Sequence, residues 1–261
     1  MEEFSPELKT FLELLEKKEK MVAMLAPSFP IDFSYPEIIG KLRRLGCQHV
    51  VEVARGAIET NRQLLEELKK NPQNRYITSP CPAIVRLVRN KYPHLKKFLS
   101  SACSPMVNIA KIVLKKFPGT RPVFIGPCLP KKIEAREDCP ELKIVVLTFK
   151  EIKKAFEIKK IDDDPADASA DFDIGSRDTR LYAISGGLAQ SCGFNQEFTD
   201  EEQNVISGLK LVNESLQEFE KNKLMRVLDI LYCDGGCIGG QGIDSQLSLE
   251  ERRKKIISYW A

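Results

Sequence analysis

The stretch RVLDILYCDGGCIGGQG, Arg226 to Gly242, decides how this chain is read. Its first half is an apolar run of strand length. Its second half breaks at once into a loop. Cys233 and Cys237 are separated by Asp234, Gly235 and Gly236, and Gly239, Gly240 and Gly242 follow. A strand that ends in such a loop fits the carboxyl edge of a parallel sheet, where α/β proteins carry their sites. RYITSPCP (Arg75–Pro82) and RPVFIGPCLPKK (Arg121–Lys132) share that design, each a short apolar run delivering a cysteine between prolines or just after one.

Outward from these loops the chain alternates apolar runs and amphipathic segments. SPELKTFLELLEKKEK has Ser5 placed to cap a helix and Pro6 at its first position, with Leu8, Phe11, Leu12 and Leu15 on one face. MVAMLAP, HVVEVA, RYITS, RPVFIG, KIVVLTF and RVLDILYC read as strands. YPEIIGKLRRLG, AIETNRQLLEELKKN, AIVRLVRNKY, SPMVNIAKIVLKKF, KEIKKAFE, NESLQEFEKN and SLEERRKKIISYW read as helices. The acidic IDDDPADASADFDIGSRD (Ile161–Asp178) reads as a surface loop. The expected class is α/β, two lobes with mainly parallel sheets flanked by helices and the active centre in the inter-lobe cleft. Residues 1–21 would form an accessory N-terminal helix. Residues 22–261 would be the main body, with lobe one at about 22–120, lobe two at about 121–232, and the cysteine loop and C-terminal helix at 233–261.

Forty basic and 37 acidic residues leave a net charge of +3 over 261 residues, which argues against a nucleic-acid or anionic-membrane partner. No apolar run approaches the roughly 20 residues of a membrane helix. MEEFSPELKTF has neither the basic nor the apolar region of a signal peptide, so a cytoplasmic protein is expected. In that reducing compartment eight cysteines are ligands, redox groups or small core residues rather than a disulfide framework. With only His49 and His94 available, a histidine-rich metal site and most histidine-dependent nucleophilic catalysis are disfavoured.

Four thiolates from three strand-end loops, Cys81, Cys128, Cys233 and Cys237, match what an iron–sulfur cube requires. Pro80, Pro82, Pro127 and Pro130 stiffen the loops, and Gly235, Gly236, Gly239 and Gly240 would make room for a bulky anion and turn N–H groups toward sulfur. A tight glycine turn with two incidental thiols, or a zinc site, reads the same spacing, although zinc pairs more often use C-x-x-C. Cys47, Cys103, Cys139 and Cys192 read as core or inert residues, with Cys103 close enough to the Ser104–Pro105 helix start to reach a pocket.

TSPCP, GPCLPKK and CDGGCIGGQG, in this order, resemble the three signature loops of the catalytic domain found in FeFe-hydrogenases. LAPSFP near Ala26, SSACSP (Ser100–Pro105) and SGGLAQ (Ser185–Gln190) also look like that family, and the resemblance runs from about residue 22 to 242. It implies two α/β lobes around a buried centre, a 4Fe-4S cube joined through a cysteine to a diiron unit bearing CO, cyanide and a bridging dithiolate. By motif position Cys81, Cys128, Cys233 and Cys237 would hold the cube, and Cys237 would bridge to the diiron unit. Lys131 would donate a charge-assisted hydrogen bond to a cyanide ligand, whereas Lys132 reads as solvated. Glu59 and Ser100 resemble groups of the proton relay.

This sequence departs from the family at telling places. Pro80 stands where active members carry the proton-passing cysteine, and Gly126 and Leu231 replace family methionines. Those departures resemble sensory hydrogenases and imply slow turnover. The substrates would be hydrogen and protons. Hydrogenase maturation proteins would install the diiron unit, and electrons would come from a ferredoxin-type donor or a further N-terminal cluster domain. Two other readings share the residues: a non-catalytic hydrogenase-like iron–sulfur protein without the diiron unit, and a partner-binding module with structural cysteines. In the last, the basic final helix would dock a partner. Otherwise Ile256, Ile257 and Trp260 pack that helix on the domain.

Overall fold

The computed structural model describes residues 4–261. In chain order the main elements are α1 (Pro6–Glu16), β1 (Met21–Leu25), α2 (Glu37–Leu45), β2 (His49–Glu52), α3 (Ala54–Lys70), β3 (Tyr76–Ile77), α4 (Pro82–Lys91), α5 (Pro105–Lys116) and β4 (Arg121–Gly126). They continue with α6 (Pro130–Ile133), β5 (Val145–Thr148), α7 (Phe149–Lys159), α8 (Gly187–Cys192), α9 (Phe194–Glu197), β6 (Gln203–Ser207), α10 (Leu209–Lys221), β7 (Val227–Leu231) and α11 (Leu249–Trp260). The strands form two sheets, ordered β2-β1-β4-β5 and β3-β7-β6, and every pairing is parallel. The fold is therefore the expected α/β class, with parallel sheets flanked by helices.

Burial explains which runs became central strands. All five residues of β1 and all five of β7 are buried. Such strands are covered on both faces and so lose the polar alternation of a half-exposed sheet. β3 keeps only two residues because Pro80 lacks an N–H to continue a ladder. β6 was not legible in the sequence. Its QNVIS holds two apolar residues, and the strand forms only because it pairs along the edge of β7, from Gln203 opposite Val227 to Ser207 opposite Leu231.

The expected division near residue 120 does not follow the sheets. β4 and β5 join β1 and β2, whereas β3 belongs with β6 and β7. The chain crosses to the second sheet for β3, returns through α5, and crosses again after α7. α5 packs on α3 and against β1 and β4, so the buried face of that helix, not proximity in sequence, brings β4 back to β1. The carboxyl ends of both sheets consequently face a common centre.

Both terminal helices are fastened to the first sheet's half of the molecule. α1 buries Leu8, Phe11 and Leu14, and Lys132 anchors it by pairing with Glu7 at 3.0 Å and Glu151 at 2.6 Å. That corrects the solvated reading of Lys132. α11 buries Ile256, and Tyr259 stacks edge-on against Phe29 with ring centroids 4.9 Å apart. Ile257, expected to pack, is exposed, and Tyr259 takes its place. Glu52 at the end of β2 receives Arg180 Nε at 2.8 Å, the Ser176 N–H at 3.0 Å and the Tyr259 hydroxyl. The acidic 161–178 segment is docked rather than loose. Arg44 Nη2 meets Asp167 at 2.6 Å, and Asp173 accepts from the Val50 N–H and pairs with His49 at 2.9 Å each. Among the described residues no helix is long and apolar enough to cross a membrane.

Candidate functional site

Three loops bring four thiols to one place. Cys81 precedes Pro82, the first residue of α4, and its carbonyl accepts from the Ile84 N–H at 3.1 Å. Cys128 follows β4 by two residues. Cys233 and Cys237 lie on the loop after β7, where the Gly236 N–H donates to the Cys233 carbonyl at 3.0 Å. The Gly242 N–H donates to Pro127 O at 2.9 Å and ties that loop to the Cys128 loop. Two glycines of this loop line the hollow between the thiols and are also required by the backbone. Gly236 has φ +99, and a Cβ at Gly240 would stand 2.6 Å from Pro127 O. Glycine here lets one loop lie directly on another.

The four thiols line a single hollow together with Pro127, Leu129, Pro130, Leu231, Tyr232 and Gln241, enclosing about 560 Å³ of empty space, mouth included. They ring its wall. Among the described residues no three His, Cys, Asp or Glu side chains are placed to grip a single ion. Burial first, and then the Cys81 thiol, push Cys233 up to about 11 and Cys237 up to about 12. Cys128 is pushed well up by burial and then by Cys81 and Cys237, against the opposing pull of the Lys131 charge and backbone N–H. Thiols that suppress one another's ionisation in this way need cationic charge among them to become thiolates, and a cluster's iron provides it.

A second hollow adjoins the first and shares Cys81, Pro127, Cys128, Leu231 and Cys237 with it. It sits where the carboxyl ends of both sheets meet, walled by Pro27, Val53, Ala54, Ala57, Met106 and Phe124 among others. Its polar groups are few. Lys131, 7% exposed, donates to Glu134 at 2.6 Å and to Pro80 O at 3.2 Å. Burial works against its charge, yet the Glu134 carboxylate and the Cys128 thiol carry its pKa above the ordinary lysine value. The Ser28 hydroxyl, on a residue 1% exposed, has no hydrogen-bond partner among the described residues. An orphaned hydroxyl and a buried ammonium in an otherwise apolar hollow fit an anionic ligand group, as a cyanide-bearing unit would supply.

The expected relay groups do not line this hollow. Glu59, on α3, bonds to Arg62 and to Gln63 Nε2 at 3.2 Å and does not line the hollow. Ser100 Oγ donates to Glu67 at 2.7 Å, also away from it. Cys103 does not reach it either. Its thiol meets Lys111 Nζ at 3.3 Å. Cys47, Cys139 and Cys192 are buried, and burial pushes them up to about 12, 11 and 12, as inert thiols. Sequence reading missed Ser28, Asp229 and Tyr182. The one signal for Asp229 was an acid inside an apolar run, at an alternate position to Leu231.

Comparison with known proteins agrees with this geometry. The profile of the family described as iron only hydrogenase large subunit, C-terminal domain, matches residues 19–241. The chain is 25% identical over 261 residues to Iron hydrogenase 1 of Clostridium pasteurianum, covering 79% of this chain and 45% of that protein. It is 27% identical over 196 residues to the Cytosolic Fe-S cluster assembly factor NAR1 of Encephalitozoon cuniculi (strain GB-M1), covering 65% of this chain and 52% of the other. The chain thus spans about half the length of the curated relatives it matches. Solved structures share the fold. A FeFe-hydrogenase studied for oxygen inactivation at the H cluster 2Fe subcluster aligns with a TM-score of 0.72 at 17% identity, over 96% of this chain and 88% of that one. Apo FeFe-hydrogenase HydA1 of Chlamydomonas reinhardtii, as a variant, aligns with a TM-score of 0.69 at 17% identity over the same shares. The profile covers both sheets and all four cysteines but stops short of α11, and on that extent the chain belongs to the iron-only hydrogenase family, as a C-terminal domain of the large-subunit type.

Proposed function

We propose that this domain holds a 4Fe-4S cube on Cys81, Cys128, Cys233 and Cys237, with a linked diiron unit in the adjoining hollow, and that it interconverts or senses hydrogen at low turnover. The observation that carries this reading is the pair of hollows sharing Cys81, Cys128 and Cys237. The bound centre would supply heterolytic hydrogen cleavage and an electron path through the cube. This chain's own residues bind and shield it. The apolar walls exclude water, which strengthens every charge inside. Lys131 and Ser28 offer donors to anionic ligands. Pro80 offers no proton, and Glu59 is engaged with Arg62, which supports slow rather than fast turnover. A cytoplasmic setting, a ferredoxin-type electron donor and maturation proteins belong to the same proposal.

Infrared spectroscopy on protein reconstituted with a cube and a diiron complex bearing CO, cyanide and a bridging dithiolate tests it. Metal-bound CO and cyanide bands that shift under hydrogen are the expected result. A second reading, a non-catalytic cluster protein, is favoured by Glu134 and Pro80 O taking two of the three Lys131 donors, and by the likeness to a cluster assembly factor. Four irons per chain without any such bands would select that reading.

A further inference from the structure

Asp229 lies on β7 among apolar neighbours. Leu228 and Ile230 point into the core of the second sheet's outer face, whereas Asp229 and Leu231, two residues apart, line the apolar hollow. Asp229 is 3% exposed, and it is the only carboxylic acid among the residues of that wall. Its Oδ2 accepts the Ala189 N–H, in the first turn of α8, at 3.2 Å, and the Thr78 hydroxyl is its other partner. Among the described residues no cation pairs with it. The titratable groups around it are Tyr182 on the neighbouring 3-10 turn, Cys192 on α8 and, across the same hollow, Lys131 and the thiols of Cys81, Cys128 and Cys237. Lys131 is occupied by Glu134 and Pro80 O. Tyr182 donates to Asn61 Oδ1, and burial holds its phenol neutral.

We propose that Asp229 is the proton-exchanging group of this hollow. The inference rests on the reading of the hollow as the seat of the diiron unit. The bound unit would supply the oxidation of hydrogen to two protons and two electrons, with the cube as the electron acceptor. The Asp229 carboxylate would take up each proton as an O–H bond and return to the anion by passing it to a water at the open side of the hollow, and in the reverse direction it would give its proton to the reaction. Pro80 leaves that task open, and neither Glu59 nor Ser100 lines the hollow. Burial raises the Asp229 carboxyl to about 6, against the smaller opposing effects of the Ala189 and Thr78 hydrogen bonds, so both protonation states are accessible near neutral pH.

Asp229→Asn keeps an oxygen for the Ala189 N–H and cannot carry a proton, so it separates proton exchange from helix capping. Two readouts apply to the reconstituted protein. In infrared difference spectra between pH 5 and pH 8, the native protein shows a buried carboxylic-acid C=O band that the variant lacks. Exchange between hydrogen and deuterated water falls 100-fold or more in the variant, the size of a lost general acid–base group, and Asp229→Glu recovers part of the rate. Absence of a titrating carboxyl band in the native protein, or exchange in Asp229→Asn at the native rate with CO and cyanide bands intact, overturns the assignment alone. Absence of those bands from the native protein overturns the diiron reading and the assignment with it.

Discussion

Replacing Lys131 by Met should be among the most damaging single changes in the protein. Lys131 and Glu134 are 7% and 8% exposed, and their charges meet at 2.6 Å beside the hollow. Removing the ammonium leaves the Glu134 carboxylate buried without its cation. Breaking a buried ion pair in this way costs about 3–5 kcal/mol. Replacing both, Lys131→Met with Glu134→Gln, removes the stranded charge at similar volume, and most of that loss should return, leaving a deficit of about 1 kcal/mol. The deficit of Lys131→Met should be largest at neutral pH and shrink toward pH 4, where an ordinary carboxyl accepts a proton and needs no cation. In the native protein the sign runs the other way at high pH. The raised lysine pKa adds stability that is complete below the ordinary lysine value and is lost as pH climbs through the folded one. Urea unfolding of the metal-free protein, followed by circular dichroism from pH 4 to pH 8, measures all three chains. A single variant within about 1 kcal/mol of native at pH 7, or a double variant no more stable than Lys131→Met, would show that no stranded charge is created.

Glu52→Gln should loosen α11, because Glu52 gathers Arg180, Ser176 and Tyr259; a loss of about 3 kcal/mol is expected, with faster amide exchange across 249–260. Asp229→Asn should stabilise the metal-free protein as pH rises. A buried acid raised from 3.8 to about 6 burdens the fold only when charged, so the gain is absent near pH 4 and approaches about 3 kcal/mol by pH 8. Thermal melts at the two pH values check it, and equal shifts at both would contradict it. Cys128→Ser should lower bound iron after reconstitution, whereas Cys47→Ser, in the core away from the hollow, should leave iron content unchanged; colorimetric iron assay distinguishes them.

Much of this molecule was legible in its residues. Buried strands such as MVAML and VLDIL announce themselves as unbroken apolar runs, and Ser5–Pro6 and Ser104–Pro105 mark their helix starts by local capping chemistry. The cysteine loops were visible for the same reason: proline and glycine restrict or free the backbone through contacts within a few residues. β6 was not, since two apolar residues in five carry no period, and its pairing partner is β7, more than twenty residues on. Glu59 and Ser100 kept their motif positions while their side chains turned to Arg62 and Glu67. Lys132 looked solvated because Glu7 and Glu151 are distant in sequence.

The class of fold, the strand-end loops and the four thiols they carry follow from local residues, because propensity, capping and turn chemistry act over short spans of chain. Long-range packing set the return of β4 to β1, the joining of the thiols' hollow to a second one, and the place of Asp229, Ser28 and Lys131 on that second wall. Those are outcomes of packing between segments far apart in sequence, where burial of whole faces outweighs any local preference.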